Sequence, residues 1–188
     1  MADLDRSIFE LVFSLSHRHF LVDDIGVFLA KQLLYIAILV AIFAVFSQEG
    51  KRRRLAFLLQ TAIAAILARG LVTEVIQFLW DRPRPFEALQ INSLLLSDAN
   101  SFPSGHAAFL FAVAFSVFLW KRKWGIALFT LAVVNAVARV FAGVHWPSDI
   151  IGGVLIGIAS AYLIHRLLQA YRDELVKNRQ LQESSSGN

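Results

Sequence analysis

The sequence predicts an all-α, polytopic transmembrane helical bundle with five spans plus an N-terminal interfacial or half-spanning helix, six helices in all. Three observations predict it. First, 57% of the 188 residues are hydrophobic and Phe alone occurs 16 times, more apolar surface than a soluble core of this size can hide but well suited to solvation by a bilayer. Second, the apolar residues fall into runs long enough to cross a hydrocarbon core, which needs roughly 20 residues per helix. Third, Lys and Arg collect at the ends of those runs, a membrane pattern. The formal charge of +4 is therefore no sign of a nucleic-acid partner. Cysteine is absent, which excludes disulfides and thiolate metal sites.

Taken in order, Leu4–Leu15 is short and amphipathic, with Ile8, Phe9, Leu11, Val12 and Leu15 set against Asp5, Arg6 and Glu10. Such a helix lies in the interface or crosses half the membrane. The acidic start Met1-Ala-Asp-Leu-Asp lacks the basic region of a cleavable signal, so the first long apolar helix is expected to direct insertion. The segments Ile25–Phe46, Leu55–Leu79, Trp124–Val144 and Asp149–Leu168 are long enough to span. His106–Trp120 holds about 15 residues, or about 22 Å at 1.5 Å per residue. It is too short to cross unaided, so its first turn is expected to begin below the membrane surface, inside protein. Residues 1–175 read as one membrane domain and 176–188 as a polar cytoplasmic tail, frayed over Glu183–Asn188.

Orientation follows from the cations. Lys51 to Arg54 join the first two long spans, Lys121 to Lys123 join the third and fourth, and Arg166, Arg172, Lys177 and Arg179 follow the last. The positive-inside rule makes that face cytoplasmic. The outer face of a cell membrane then holds 80–105, 144–148 and the N-terminal helix. Arg139 lies about 15 residues into its span, and Arg69, Glu74 and Gln77 occupy the outer half of another. Ionisable groups at such depth face a protein interior or a wet cavity. Arg69 and Glu74, five apart, are poorly spaced to pair on one α-helix, so a structural role for them calls on neighbouring helices. The long outer loop Phe86–Phe102 carries Leu94-Leu95-Leu96, which either covers an entrance or dips into lipid.

The polar groups on that face make a coherent set. Arg84 and Arg139 offer planar, permanently charged forks suited to phosphate oxygens. Ser104 and Gly105 open a helix, where backbone N–H groups and the helix dipole favour an anion, and His106 stands at the same helix start. His145 and Asp149 are four apart, with Pro147 placed to start a helix. A carboxylate there can bond one imidazole nitrogen and leave the other free as a nucleophile. Two histidines, two arginines and an N–H nest are what phosphoryl transfer needs without a metal. Each piece alone has a bland reading as a helix-opening turn, a surface contact or charge at an interface. Their order, spacing and common face argue for one site.

In Gln77-x6-Arg84-Pro85, Pro103-Ser104-Gly105-His106 and Ala138-Arg139-x5-His145-x3-Asp149, the chain resembles the type 2 phosphatidic acid phosphatase superfamily. That family's signature is Lys-x6-Arg-Pro, Pro-Ser-Gly-His and Ser-Arg-x5-His-x3-Asp, and the resemblance covers roughly residues 20 to 170. It implies a phosphohistidine intermediate on His145, His106 as leaving-group acid, Asp149 orienting His145, and phosphate bound by Arg84, Arg139, Ser104 and the Gly105 backbone. It implies no metal and no cofactor. Two positions depart from the signature: Gln77 replaces lysine and Ala138 replaces serine, with Arg82 or Lys31 as candidate replacement cations.

The missing lysine is shared with undecaprenyl-diphosphate phosphatases of the bacitracin-resistance type. The chain also resembles those proteins around Ser16-His17 to Phe28, Arg84-Pro85-Phe86 and Asp98 to His106, although they commonly carry Asp where Gly105 stands. The implied substrate is a membrane lipid, undecaprenyl diphosphate. The alternatives are a broader lipid phosphatase acting on phosphatidate or phosphatidylglycerophosphate, and a lipid phosphotransferase. Outside enzymes the alternatives are a lipid or ion transporter, against which stand the missing inverted repeat and the placing of polar groups towards one end, and a catalytically dead phosphate-binding module, suggested by Gln77.

Overall fold

The computed structural model describes residues 2–97 and 100–186, with side chains from 3 to 171 among them. All regular structure among these residues is helical. The helices are α1 (Ala2–Phe13), α2 (Phe20–Lys31), α3 (Leu33–Phe46), α4 (Lys51–Leu79), α5 (Pro85–Leu89), α6 (Gly105–Trp120), α7 (Arg122–Phe141) and α8 (Pro147–Ser186). Lys51–Leu79, Arg122–Phe141 and Pro147–Tyr171 are long and apolar enough to cross a membrane, and α2 with α3 makes a fourth if the bent pair is one span. At 16 residues, α6 falls below span length, as its sequence predicts. α8 runs on past residue 175, into the segment expected as a tail. Beyond Tyr171 its side chains lie outside the described residues, as do Gly187 and Asn188.

The expected single span Ile25–Phe46 is broken, with α2 and α3 meeting at 44°. The cause is Asn135 on α7, whose Nδ2 donates to the carbonyls of Leu29 (2.9 Å) and Ala30 (3.0 Å). Those carbonyls would otherwise accept from the next helical turn, and a side chain inserted into the ladder kinks the helix. Within α4, Ile66–Thr73 is π-helical. In a π-helix hydrogen bonds run i→i+5, so residues five apart stack, and Arg69 pairs with Glu74 on their own helix. The expectation that each needs a neighbouring helix is thereby corrected: the i,i+5 repeat replaces the α-helical one. Thr73 Oγ1 closes the same turn on the Ala68 carbonyl at 2.8 Å.

α6 is the central helix, packed on α8, α7, α4 and α3. Its apolar residues point in every direction, Leu110, Phe111, Val113 and Val117 being buried together with Ala107, Ala108, Ala112 and Ala114. A helix apolar all round belongs inside a bundle. α6 packs backbone to backbone on Gly153 and Gly157 of α8, where an added Cβ would stand 2.5 Å from the Ser104 and Ala108 carbonyl oxygens respectively. Small residues four apart let two backbones come together where lipid offers no hydrophobic drive to association. This contact brings the start of α6 against the start of α8. At the opposite end, Lys121 Nζ donates to the Ser47 carbonyl (2.9 Å), so the basic loops after α3 and α6 share one face, as the charge pattern predicts.

Candidate active site

Four chain segments meet at the non-basic end of the bundle: the extended stretch after α4, the loop leading into α6, the end of α7 with residues 142–146, and the first turn of α8. Arg84, Ser104, Arg139, His145 and Asp149 are all buried there, at 3%, 0%, 7%, 1% and 0% exposure. Buried polar groups need partners: Arg84, Ser104 and Asp149 are hydrogen-bonded, and Arg139 meets His145 through Nη2, while Arg139 Nε and His145 Nδ1 have no hydrogen-bond partner among the described residues.

His145 occupies the centre. Its Nε2 lies 3.4 Å from both Arg84 Nη1 and Arg139 Nη2, while Nδ1 faces Asp149 Oδ2 at 3.5 Å. Burial first, then the guanidiniums of Arg139 and Arg84, hold its imidazole well below the usual histidine range. The ring is therefore neutral, with Nδ1 the protonated nitrogen beside the carboxylate and the Nε2 lone pair turned to the two guanidiniums. Arg84 is fixed further by donating to the Val144 carbonyl (2.6 Å) and the Asn100 carbonyl (3.3 Å). A tetrahedral anion arriving at Nε2 would meet two forks already turned toward it, with no side chain left to reorganise.

Asp149 owes its place to local sequence. Pro147 starts α8, and Asp149 reaches back to accept from the Trp146 N–H at 2.8 Å, the return half of a capping box. The same Oδ2 accepts from Ser101 Oγ at 2.5 Å, and Oδ1 accepts from Arg82 Nη1 at 2.6 Å. The Ser104 N–H bonds the Asp149 main-chain carbonyl (3.0 Å), so the nest at the start of α6 and the dyad at the start of α8 form one unit. Ser104 caps α6. Gly105 follows, and a Cβ there would overlap the Arg69 guanidinium. His106, half-buried in the first turn, lies within electrostatic reach of Arg139, His145, Arg69 and Arg84. The predicted site residues thus converge.

Gln77, in place of the signature lysine, donates from Nε2 to the carbonyls of Pro103 (2.9 Å) and Asn100 (3.2 Å). In return Asn100 Nδ2 donates to the Gln77 carbonyl (2.7 Å). The amide ties down the loop that carries Ser104. Neither candidate replacement cation takes the lysine's part. Arg82 is engaged by Asp5 and Asp149, and Lys31 is exposed in the last turn of α2. The triple-leucine loop divides: Leu95 is buried against Ala30, Ala138, Ala142 and Val144, whereas Leu96 is 91% exposed.

Sequence reasoning missed Asp5, Ser101 and Ser148, and it considered Arg82 only as a replacement phosphate-binding cation, not as a partner of Asp149. For Arg82 a signal was present. In Arg82-Pro83-Arg84-Pro85 the prolines keep the chain extended, and residues two apart in an extended chain share a side. Arg82 and Arg84 accordingly both face the His145–Asp149 pair.

This fold and this site define a class: an integral membrane phosphatase built as a helical bundle, its buried arginine, histidine and aspartate side chains gathered at one end. The chain belongs to the PAP2 superfamily, whose family model matches residues 57–173. Among its relatives, YbjG of Escherichia coli (strain K12) is 33% identical over 179 residues, covering 90% of this chain and 89% of that protein. Undecaprenyl-diphosphatase BcrC of Bacillus subtilis (strain 168) is 29% identical over 180 residues, covering 93% and 91%. Among solved structures, the crystal structure of Aquifex aeolicus LpxE is similar with a TM-score of 0.72 at 26% identity, covering 87% of this chain and 95% of that one.

Proposed function

We propose that the protein hydrolyses undecaprenyl diphosphate to undecaprenyl phosphate and inorganic phosphate through a phosphohistidine on His145. The observation that carries this reading is the setting of the His145 imidazole, with Nδ1 against Asp149 and Nε2 equidistant from two guanidiniums. Nε2 attacks the terminal phosphorus as the bridging P–O bond breaks. His106 gives its proton to the departing lipid phosphate, and Arg84 and Arg139 hold the equatorial oxygens. Ser104 and the Gly105 N–H supply the remaining donors at the positive end of α6. Water then attacks the phosphohistidine, His106 takes a proton from it, and His145 is regenerated with release of phosphate. Asp149 keeps the proton on Nδ1 throughout.

The reading places five spans across a cell (inner) membrane, with α6 as the short fifth and the site on the extracytoplasmic face. A substrate phosphate carried by a lipid would reach the site laterally, at headgroup depth. The similarity to Undecaprenyl-diphosphatase BcrC over most of both chains supports the prenyl diphosphate over a glycerolipid phosphate.

The test is phosphate release by purified protein in detergent with excess EDTA, across a panel of undecaprenyl diphosphate, phosphatidate and phosphatidylglycerophosphate. Undecaprenyl diphosphate is expected to be the best substrate, and His145→Ala to abolish turnover. Equal activity in that variant would sink the phosphohistidine mechanism, and a preference for a glycerolipid phosphate would sink the substrate. For orientation, cysteine introduced at Ser97 should react with an impermeant reagent on intact cells while cysteine at Ser184 should not; the reverse pattern refutes the proposed topology.

A further inference from the structure

The N-terminal helix is joined to the catalytic dyad by an unbroken chain of charged contacts. Asp5 on α1 accepts from the Ser148 N–H through Oδ1 (2.8 Å), and from Ser148 Oγ (2.6 Å) and Arg82 Nη2 (2.7 Å) through Oδ2. The other Arg82 nitrogen, Nη1, donates to Ser148 Oγ (2.8 Å) and Asp149 Oδ1 (2.6 Å). The Arg82 guanidinium also sits over the Trp146 ring, 5.8 Å from its centroid. Trp146 in turn donates from Nε1 to the Pro83 carbonyl (3.1 Å) and packs against Phe9 of α1, the rings tilted by 56° with centroids 5.1 Å apart. The side chains of Asp5, Arg82 and Asp149 are 12%, 25% and 0% exposed, so solvent screens the chain of charges only at its outer edge.

This geometry has a consequence for His145. The Asp149 carboxylate must present Oδ2 to Nδ1 of the imidazole; Ser101 Oγ and the Trp146 N–H hold that oxygen, and a donor on the far oxygen completes the orientation of the carboxylate plane. Arg82 fixes Oδ1. A long arginine side chain is itself a poor anchor unless its fork is filled on both prongs, and Asp5 fills the second prong. Asp5 also shares the negative charge opposite Arg82, so the guanidinium does not draw all of its compensation from Asp149.

We infer that Asp5 and Arg82 are positioning residues of the phosphatase reaction. On this inference α1 is a strap that completes the active site, over and above any part it plays at the membrane interface. The inference rests on the phosphatase reading with His145 as nucleophile. Asp5 touches no reacting atom and acts through Arg82 and Ser148 on Asp149.

The distinguishing property of such a relay is non-additivity. Residues that act through one another lose their separate effects once one is removed, whereas independent structural losses add. The experiment compares wild type, Asp5→Asn, Asp149→Asn and the double variant, purified in detergent, by steady-state phosphate release from undecaprenyl diphosphate. Asp5→Asn is expected to lower kcat about tenfold with KM within about twofold. The same substitution in the Asp149→Asn background is expected to change kcat by less than about twofold. Arg82→Lys keeps one charge but not the fork, so it is expected to lower kcat in the same way. It poses the same question with α1's own carboxylate intact should Asp5→Asn not survive purification.

Wild-type kcat in both Asp5→Asn and Arg82→Lys overturns the inference. An equal loss from Asp5→Asn in the two backgrounds does too, since α1 would then only brace the fold. Failure of the underlying reading looks different: a wild-type protein that releases no phosphate, or one that His145→Ala leaves unaffected.

Discussion

A methyl group added to Gly153 tests whether the α6–α8 contact sets the catalytic geometry. In Gly153→Ala the new Cβ would stand 2.5 Å from the Ser104 carbonyl oxygen, 2.8 Å from Ala107 Cβ and 3.0 Å from the Ala108 nitrogen. Two of these three neighbours are backbone, so none can swing aside. For the Ser104 contact to reach 3.4 Å, where ordinary van der Waals contact begins, α8 has to retreat by about 0.9 Å. Gly153 lies one turn beyond Asp149 on the same helix, so the retreat pulls Asp149 from Ser104 and stretches their 3.0 Å hydrogen bond. Overpacking of this kind costs about 1–3 kcal/mol, and misplacing catalytic groups by about 1 Å costs on the order of a hundredfold in rate. Gly153→Ala should therefore lower both the thermal midpoint in detergent and kcat for phosphate release, the latter by about 30–100-fold. Gly70→Ala is the matched control, because a Cβ there has only the Ile66 methyl at 3.8 Å, and it should leave both readouts near wild type. Wild-type kcat in Gly153→Ala would refute the idea that this contact positions the dyad. An equal loss in Gly70→Ala would show that any glycine substitution in the bundle is harmful.

Two further outcomes are expected. Gln77 contributes donors to two carbonyls of the loop before Ser104, so donor capacity decides what can replace it. Gln77→Lys should be tolerated, Gln77→Ala should cost about 1–3 kcal/mol of stability for the abandoned carbonyls, and Gln77→Glu, an acceptor facing acceptors, should be worst; a different order in thermal midpoints refutes the clamp. The His145 imidazole is held below its ordinary range by burial and its arginine neighbours, so the unfolded chain binds more protons than the folded one just below the ordinary histidine pKa of about 6.5. Stability is then lost as pH falls through that range, by at most about 1.4 kcal/mol per pH unit for one group. The thermal midpoint should drop more steeply from pH 7 to 5 in wild type than in His145→Gln, and parallel slopes would refute a neutral His145.

Much of the architecture was legible because its causes are local. A bilayer demands long apolar runs, and Leu55–Leu79, Trp124–Val144 and Asp149–Leu168 each correspond to a helix of spanning length. The shortness of α6 was legible in the same way. What escaped was decided by partners distant in sequence. Nothing within Ile25–Phe46 marks a break at Gln32, because the side chain that opens the ladder is Asn135, more than 100 positions away. The π-helical stretch of α4 likewise defeats a rule of thumb. The i,i+4 spacing that disqualified Arg69 and Glu74 as a pair presumes an α-helix, and the repeat there is five.

The same division runs through the site. On the proposed mechanism, residues that meet the reacting phosphate have to be of particular types at particular spacings: two guanidiniums, an imidazole paired with a carboxylate, and a helix N-terminus. Chemistry alone could therefore pick out Arg84, Arg139, His145, Asp149, Ser104 and Gly105. Residues that hold those groups in place need only deliver a donor or an acceptor to a point in space, and any part of the chain can do that. Ser101 and Arg82 supply donors to Asp149 from 48 and 67 positions away, and Asp5 meets Ser148 from 143. Gln77 joins the two classes. It sits where the family signature has a lysine, yet its bonds go to main-chain carbonyls 23 and 26 positions on. An amide can hold that loop as well as an ammonium can, without bringing another positive charge beside Arg84, Arg139 and the half-exposed Arg69. The departure from the signature is thus legible as a missing phosphate ligand, and only the fold shows that the position still carries out the supporting half of the work.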